Sequence, residues 1–157
     1  MDKINEILNN KKYKYYLNKL YEYEKERKFC IHDIEHFLAV ARIAYIKVLE
    51  EGLSYSKDVI YAIGLLHDIG RVLQYEDNTP HNEGSVIIGK EILDETSYNE
   101  KEKEEILRAI NNHRKVEEDS LSKIIYISDK LSRNCFNCKA LKECYWSIEK
   151  KNFKIKY

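Results

Sequence analysis

One proline and five glycines are all that interrupt a chain of 157 residues. A chain so poor in turn residues cannot make the many tight reversals of a sandwich or barrel. Its apolar residues instead recur with a helical period. Ile4, Ile7, Leu8, Leu17, Leu20 and Tyr21 mark a peripheral helix, or a pair of them, over residues 2–28. Phe37, Val40, Ala41, Ala44 and Val48 form one stripe on a helix from about Asp33 to Glu51. Asp33 can cap its first turn and Gly52 can stop it. Val59, Ile60, Ala62, Ile63, Leu65 and Leu66 make a helix over about 56–69 apolar nearly all round, so it belongs at the centre of the core. Gly70 ends or bends it. Further helices are expected from about His81 to Glu95, from about Asn99 to His113, and from about Ser120 through Leu131. Ser97 with Glu100 reads as a capping box for the second of these. A last amphipathic segment is expected over about 139–150, ahead of a basic tail. The prediction is all-α, a single compact bundle of about six to seven helices.

The length favours one domain, and no repeat or low-complexity linker divides it. Lysine plus arginine number 27, and so do aspartate plus glutamate. Zero net charge argues against a general nucleic-acid binder driven by bulk positive charge. No apolar run approaches the roughly 20 residues needed to cross a bilayer. The opening residues, Met1 to Glu6, lack the apolar stretch of a signal peptide. The expectation is a cytoplasmic protein with no membrane partner. In that reducing compartment the four cysteines are thiols or metal ligands rather than disulfides.

The histidines and aspartates are the unusual part of the pattern. His67-Asp68 closes the most apolar helix. An imidazole and a carboxylate buried side by side need compensation, and a divalent cation supplies it to both. Asp129 poses the same problem inside an apolar helix, one turn after Ile125; a salt bridge to Arg42 or Lys130 would also answer it. His36 lies four residues before Val40, on the buried face. His81 and His113 stand at a helix start and a helix end, where each could also be an ordinary cap.

The order His36, His67-Asp68, Asp129 resembles the HD superfamily of metal-dependent phosphohydrolases. His36-Phe-Leu-Ala-Val-Ala-Arg-Ile-Ala44 is similar to its first-histidine helix. Ala62-Ile-Gly-Leu-Leu-His-Asp-Ile-Gly-Arg71 is similar to its central motif, and Ile125-Tyr-Ile-Ser-Asp-Lys-Leu131 to its last-aspartate motif. The resemblance covers about 29–133. It sets the N-terminal helix at 2–28 and a cysteine-containing extension at 134–157 outside the core. By this resemblance His36, His67 and Asp129 hold one divalent metal, Asp68 bridges, and His81 with His113 hold a second. The layout is closest to the binuclear bacterial dinucleoside tetraphosphate hydrolases. In mononuclear members the last two histidines are not required. The metal would be iron, manganese, nickel or zinc.

The implied chemistry is hydrolysis of a phosphate ester or anhydride by a metal-activated water. Asp68 and Arg71 are the candidate catalytic residues. Arg71 stands where the family's motif often has lysine and offers a two-pronged contact to phosphate. A surface ion pair is its other reading. His32, Arg71 and Lys130 are candidate substrate contacts, with Arg114 a weaker one. The relatives usually carry a basic residue near the first histidine, whereas this chain has His32 and Asp33. The substrate is expected to be a small phosphate compound, a nucleotide among them, whose base could stack on some of the 13 tyrosines. A metal- and nucleotide-binding signalling module without turnover is the alternative. A redox or zinc-linked interaction protein built on the cysteines is a third. The oligomeric state is open, a homodimer included.

Cys135-Phe-Asn-Cys138, with Cys144 six residues on, is part of a zinc pattern, and Cys30 is the only fourth cysteine. Cys30 precedes His36 by six residues and Cys135 follows Asp129 by six. If those two helices run antiparallel past a shared metal, both cysteines project to one end, roughly 9 Å along the axis at ~1.5 Å per residue. A structural zinc on Cys30, Cys135, Cys138 and Cys144 is one reading. Four reduced thiols are the other.

Overall fold

In a computed structural model, which describes residues 2–114 and 119–157, the central apolar helix is α4 (Lys57–Leu66). Val59, Ile60, Ala62, Ile63, Gly64, Leu65 and Leu66 are all buried on it. That leaves no face for solvent, as its sequence requires. Around it lie α1 (Asp2–Asn9), α2 (Lys11–Glu24), α3 (Ile34–Glu50), α5 (Arg71–Asp77), α6 (His81–Leu93), α7 (Glu100–Asn112) and α8 (Ser120–Leu131). No strand occurs among the described residues, so the all-α expectation holds. The described residues form eight helices rather than six or seven, because α1 and α2 part at Asn10, which caps α2, and because the short α5 follows Gly70. No helix of the described residues is long and apolar enough to cross a membrane.

The packing brings the site elements together. Helix α3 lies against α4 and α8, α7 against α4 and α6, and α5 against α6. Asp33 caps α3 by accepting the amide of His36 at 2.8 Å. Helix α4 ends at Leu66 and the chain turns through residues 67–70. Gly70 is required there by a close approach. Its amide donates to Ser85 Oγ at 2.8 Å, and a Cβ would stand 1.9 Å from the Ser85 amide nitrogen. The contact locks the His67-Asp68 turn onto α6, just past His81.

Two local expectations are corrected. The capping box of α7 is Asn99 with Glu102, not Ser97 with Glu100. Ser97 is engaged elsewhere: its amide and hydroxyl both donate to Glu6, at 2.6 and 2.8 Å. The segment 139–150 is not a helix. It forms single 3-10 turns at Leu141–Glu143 and Ile148–Lys150, after another at Cys135–Asn137. Tyr145 and Ile148 are 82% and 73% exposed, so the segment buries no apolar stripe, and a helix this short does not persist without one. The extension nevertheless folds back. Asn152 Nδ2 donates to the carbonyls of Lys130 and Arg133 at 2.6 and 3.0 Å, answering orphan groups at the end of α8.

Candidate metal centre

All five histidines are buried, and all face one carboxylate. His32, His36 and His67 place Nε2 at 3.5, 3.8 and 3.5 Å from Asp68 Oδ2. His81 and His113 place Nε2 at 3.4 and 3.9 Å from the other oxygen, Oδ1. The rings form a continuous row in the order 32, 36, 67, 113, 81, with centroids 5.3–5.5 Å apart. Asp129 completes the first group, with Oδ1 3.5 Å from His36 Nε2.

The tautomers of His67 and His113 are set by the backbone and that of His36 by the Ser132 hydroxyl. His67 Nδ1 donates to the Gly64 carbonyl at 2.8 Å, and His113 Nδ1 donates to that of Ile110 at 2.5 Å. Ser132 donates its hydroxyl to the Asp129 carbonyl at 2.7 Å, so it accepts from His36 Nδ1 at 3.0 Å. Each of these rings therefore turns the Nε2 lone pair toward Asp68, the arrangement of a metal-binding histidine with its other nitrogen held. His67 Nε2 and Asp68 Oδ1 are buried without a hydrogen-bond partner. Such orphaned acceptors are costly unless a cation meets them.

Burial holds the imidazoles neutral. It pushes His81 down to about 3 and His113 down to about 4, and it lowers His32, His36 and His67 as well. Burial acts upward on Asp68, but the charge of Arg71 beside it opposes this, and its carboxyl lies well below the usual range. For Asp129, burial and the charge of Asp68 act upward; His67, Lys130 and His36 prevail and hold it at about 2. Neutral imidazoles and ionised carboxylates are the states that bind a divalent cation.

Two sets of ligand atoms lie within 4.8 Å of one another: His36, His67, Asp68 and Asp129, and Asp68, His81 and His113. They share Asp68. Nitrogen and carboxylate donors in these sets suit a divalent transition metal, and the orphaned Nε2 and Oδ1 fit an ion on each side of Asp68.

The other expected residues fall in different places. Arg71 Nε is 3.1 Å from Asp68 Oδ1 but not in hydrogen-bond geometry, an ionic contact at the mouth of the site. Lys130 pairs with Asp129 Oδ2 at 2.6 Å, which is the salt bridge weighed from sequence, and its ammonium also lies over the Tyr126 ring. Arg42 takes no part in that pair and lines a second cavity instead. Arg114 lines the main cavity. The four cysteines line the second cavity together; their thiols are not among the sets within 4.8 Å.

Two residues escaped the sequence reading. Glu24, at the end of α2, accepts from the His32 amide at 2.6 Å and from its Nδ1 at 2.8 Å. Arg133 donates to the Ile31 carbonyl at 2.7 Å and to His36 Nε2 at 3.0 Å. A metal on His36 therefore requires the Arg133 guanidinium to withdraw.

A family model for the HD domain matches residues 33–134. The chain belongs to the HD-domain family. Within that match lie the His36, His67-Asp68, His81, His113 and Asp129 positions, while Glu24 and His32 lie ahead of it. A protein of Clostridium beijerinckii that carries the name uncharacterized protein is 50% identical to this HD-domain chain over 157 residues, the whole length of both. No solved structure matches the chain.

The HD centre opens on a cavity of about 510 Å³. Arg27, Arg71, Arg114, Arg133, Lys150 and Lys156 contribute cations to its lining. Phe29, Tyr126, Tyr145 and Trp146 contribute rings. Several of these come from the extension 134–157, which is thus a wall of the site rather than a detached tail.

Proposed function

We infer that this HD-domain chain is a phosphohydrolase that cleaves a phosphate ester or anhydride of a nucleotide, using divalent iron, manganese, nickel or zinc at the centre on Asp68. The observation that carries the reading is the pair of ligand sets sharing one carboxylate, at the floor of a cavity with cations and aromatic rings. His36, His67 and Asp129 would hold one ion, His81 and His113 the other, with Asp68 between them. This layout is similar to the binuclear dinucleoside tetraphosphate hydrolases. Metal bound there supplies a water acidic enough to act as a nucleophile near neutral pH and offsets charge on the phosphoryl oxygens.

The remaining work falls to the chain's own groups. Asp68 holds or orients the nucleophile's proton. Arg71, paired ionically with Asp68, is placed to take the outer phosphate oxygens. His32, held by Glu24, presents Nε2 to the same cavity and is a substrate contact. Lys130 reaches substrate only if it leaves Asp129. The base of a nucleotide finds flat partners in Tyr145 and Trp146 at the rim.

Purified chain is to be screened with manganese, iron, nickel, zinc and magnesium against nucleoside mono-, di- and dinucleoside phosphates. Metal-dependent release of phosphate or nucleotide is expected for at least one class. Binding of nucleotide without release under every metal would instead identify a signalling module of the same fold.

A further inference from the structure

The second cavity, about 410 Å³, collects every cysteine of the chain. They arrive from both ends of the sequence. Cys30 precedes α3, and the others follow α8. All four are free thiols. Cys138 ends the 3-10 turn Cys135–Asn137, with its amide donating to the Cys135 carbonyl at 3.2 Å. Cys144 ends the turn Leu141–Glu143 in the same way, donating to the Leu141 carbonyl at 3.3 Å. Both turn-ending cysteines have extended backbone. Cys30 has a φ of 47°, the left-handed region that a non-glycine residue occupies only against strain of order 1–3 kcal/mol. Cys30 holds this conformation at the wall of the cavity that the other three cysteines also line.

We propose that Cys30, Cys135, Cys138 and Cys144 bind one zinc ion as four thiolates, a structural site separate from the centre on Asp68. Four soft sulfur donors are the set that zinc prefers, and a filled shell leaves no open position for chemistry. On binding, each thiol gives one proton to solvent, so four protons leave per ion. The resulting site carries a net charge of two minus. Arg42 and Arg133 line the same cavity and offset it. No three of the thiols lie within 4.8 Å of one another, so they must draw together as the ion enters.

The site ties the entry to α3, which carries His36, to the exit of α8, which carries Asp129. It also fixes the wall of the catalytic cavity. Phe29, Cys30, Arg133 and Trp146 line both cavities, so the zinc holds the partition between them.

The test uses the full chain, freed of metal under reducing conditions and titrated with cobalt(II). Sulfur-to-cobalt charge transfer in the ultraviolet is expected to rise to one equivalent and to vanish on adding zinc. His67→Ala should keep that signal, because histidine and aspartate ligands do not produce it. Cys138→Ser, at the exposed thiol, should lose it. Native protein treated with a thiol reagent should release one zinc as the four thiols react. The proposal is overturned if wild-type protein gives no sulfur-to-cobalt signal, if Cys138→Ser gives the full signal, or if four thiols react without zinc release. Two disulfides in freshly purified protein that has not been treated with a reductant would overturn it equally. These outcomes are independent of phosphate release, so failure here leaves the hydrolase reading standing.

Discussion

Glu24 grips His32 at two points, its carboxylate accepting both the backbone amide and Nδ1 of the histidine within 2.8 Å. Tyr75 adds a third bond by donating its hydroxyl to the same carboxylate at 2.9 Å. His32 is thereby fixed with Nε2 facing Asp68. Glu24→Ala should leave the candidate metal ligands in place but release the ring, lowering turnover by up to about 100-fold, the order of cost of misplacing a substrate contact. The buried amide and Nδ1 left unpaired should cost about 1–3 kcal/mol. Turnover and metal content measured together decide it. A variant with wild-type kcat would show that His32 needs no anchor.

Gly70 is the tightest packed glycine near the centre. An added Cβ would meet the Ser85 nitrogen at 1.9 Å, the Gly84 carbonyl carbon at 2.3 Å and the His81 oxygen at 2.4 Å. All three are backbone atoms and cannot rotate away. Gly70→Ala should destabilise by about 3 kcal/mol or more, or about 10 °C in Tm for a domain of this size. Because the clash pushes on the start of α6, it should also displace His81. Calorimetry gives the first number. An unchanged Tm would mean that the α5–α6 contact is looser than the geometry states.

These two residues mark where the sequence was legible and where it was not. Glycine and the apolar pattern announced the turn at Gly70, and the polar pair His67-Asp68 at the end of an apolar helix announced the site. Helix α3 was readable from Asp33 and its stripe. Glu24 was hidden because α2 is rich in glutamate and lysine, and one buried carboxylate among solvated ones has the same local signature. Only the tertiary fold brings it to His32. Arg133 was hidden because nothing in Ser-Arg-Asn after Leu131 says that the fold turns it back onto His36. The segment 139–150 misled because its apolar spacing suits a helix, while its apolar residues stay largely exposed and Asn152 just beyond it is tied to the end of α8.

Acid should unfold the metal-free chain early. In the unfolded chain a histidine takes up a proton near 6.5, but in the folded chain burial holds His113 at about 4 and His81 at about 3. Between those values the unfolded state binds more protons, so stability falls as pH falls. It is fully present above about 6.5 and declines toward pH 3, His113 giving up its share by about 4 and His81 by about 3, with His113 alone contributing on the order of 3 kcal/mol. Asp68 and Asp129, held below 3.8, add losses only beneath that value. Denaturation midpoints of chelated protein at pH 7 and pH 5 check the sign. Equal midpoints would show that the rings titrate normally and are not buried neutral.

Phosphate release measured against manganese added to metal-free chain joins the ligand geometry to the chemistry in one curve. Manganese prefers nitrogen and oxygen donors to thiolates, so it reports the centre on Asp68 and not the cysteine cavity. With two ligand sets sharing Asp68, the rate is expected to rise until two ions per chain are bound and then to level off. His113→Ala should bind one ion, and Asp68→Ala should stay folded yet release no phosphate at any manganese level, a loss of several orders of magnitude. A wild-type chain that takes up manganese but releases no phosphate from any of the nucleotides, or an Asp68→Ala variant as active as the wild type, would contradict a hydrolase built on that carboxylate.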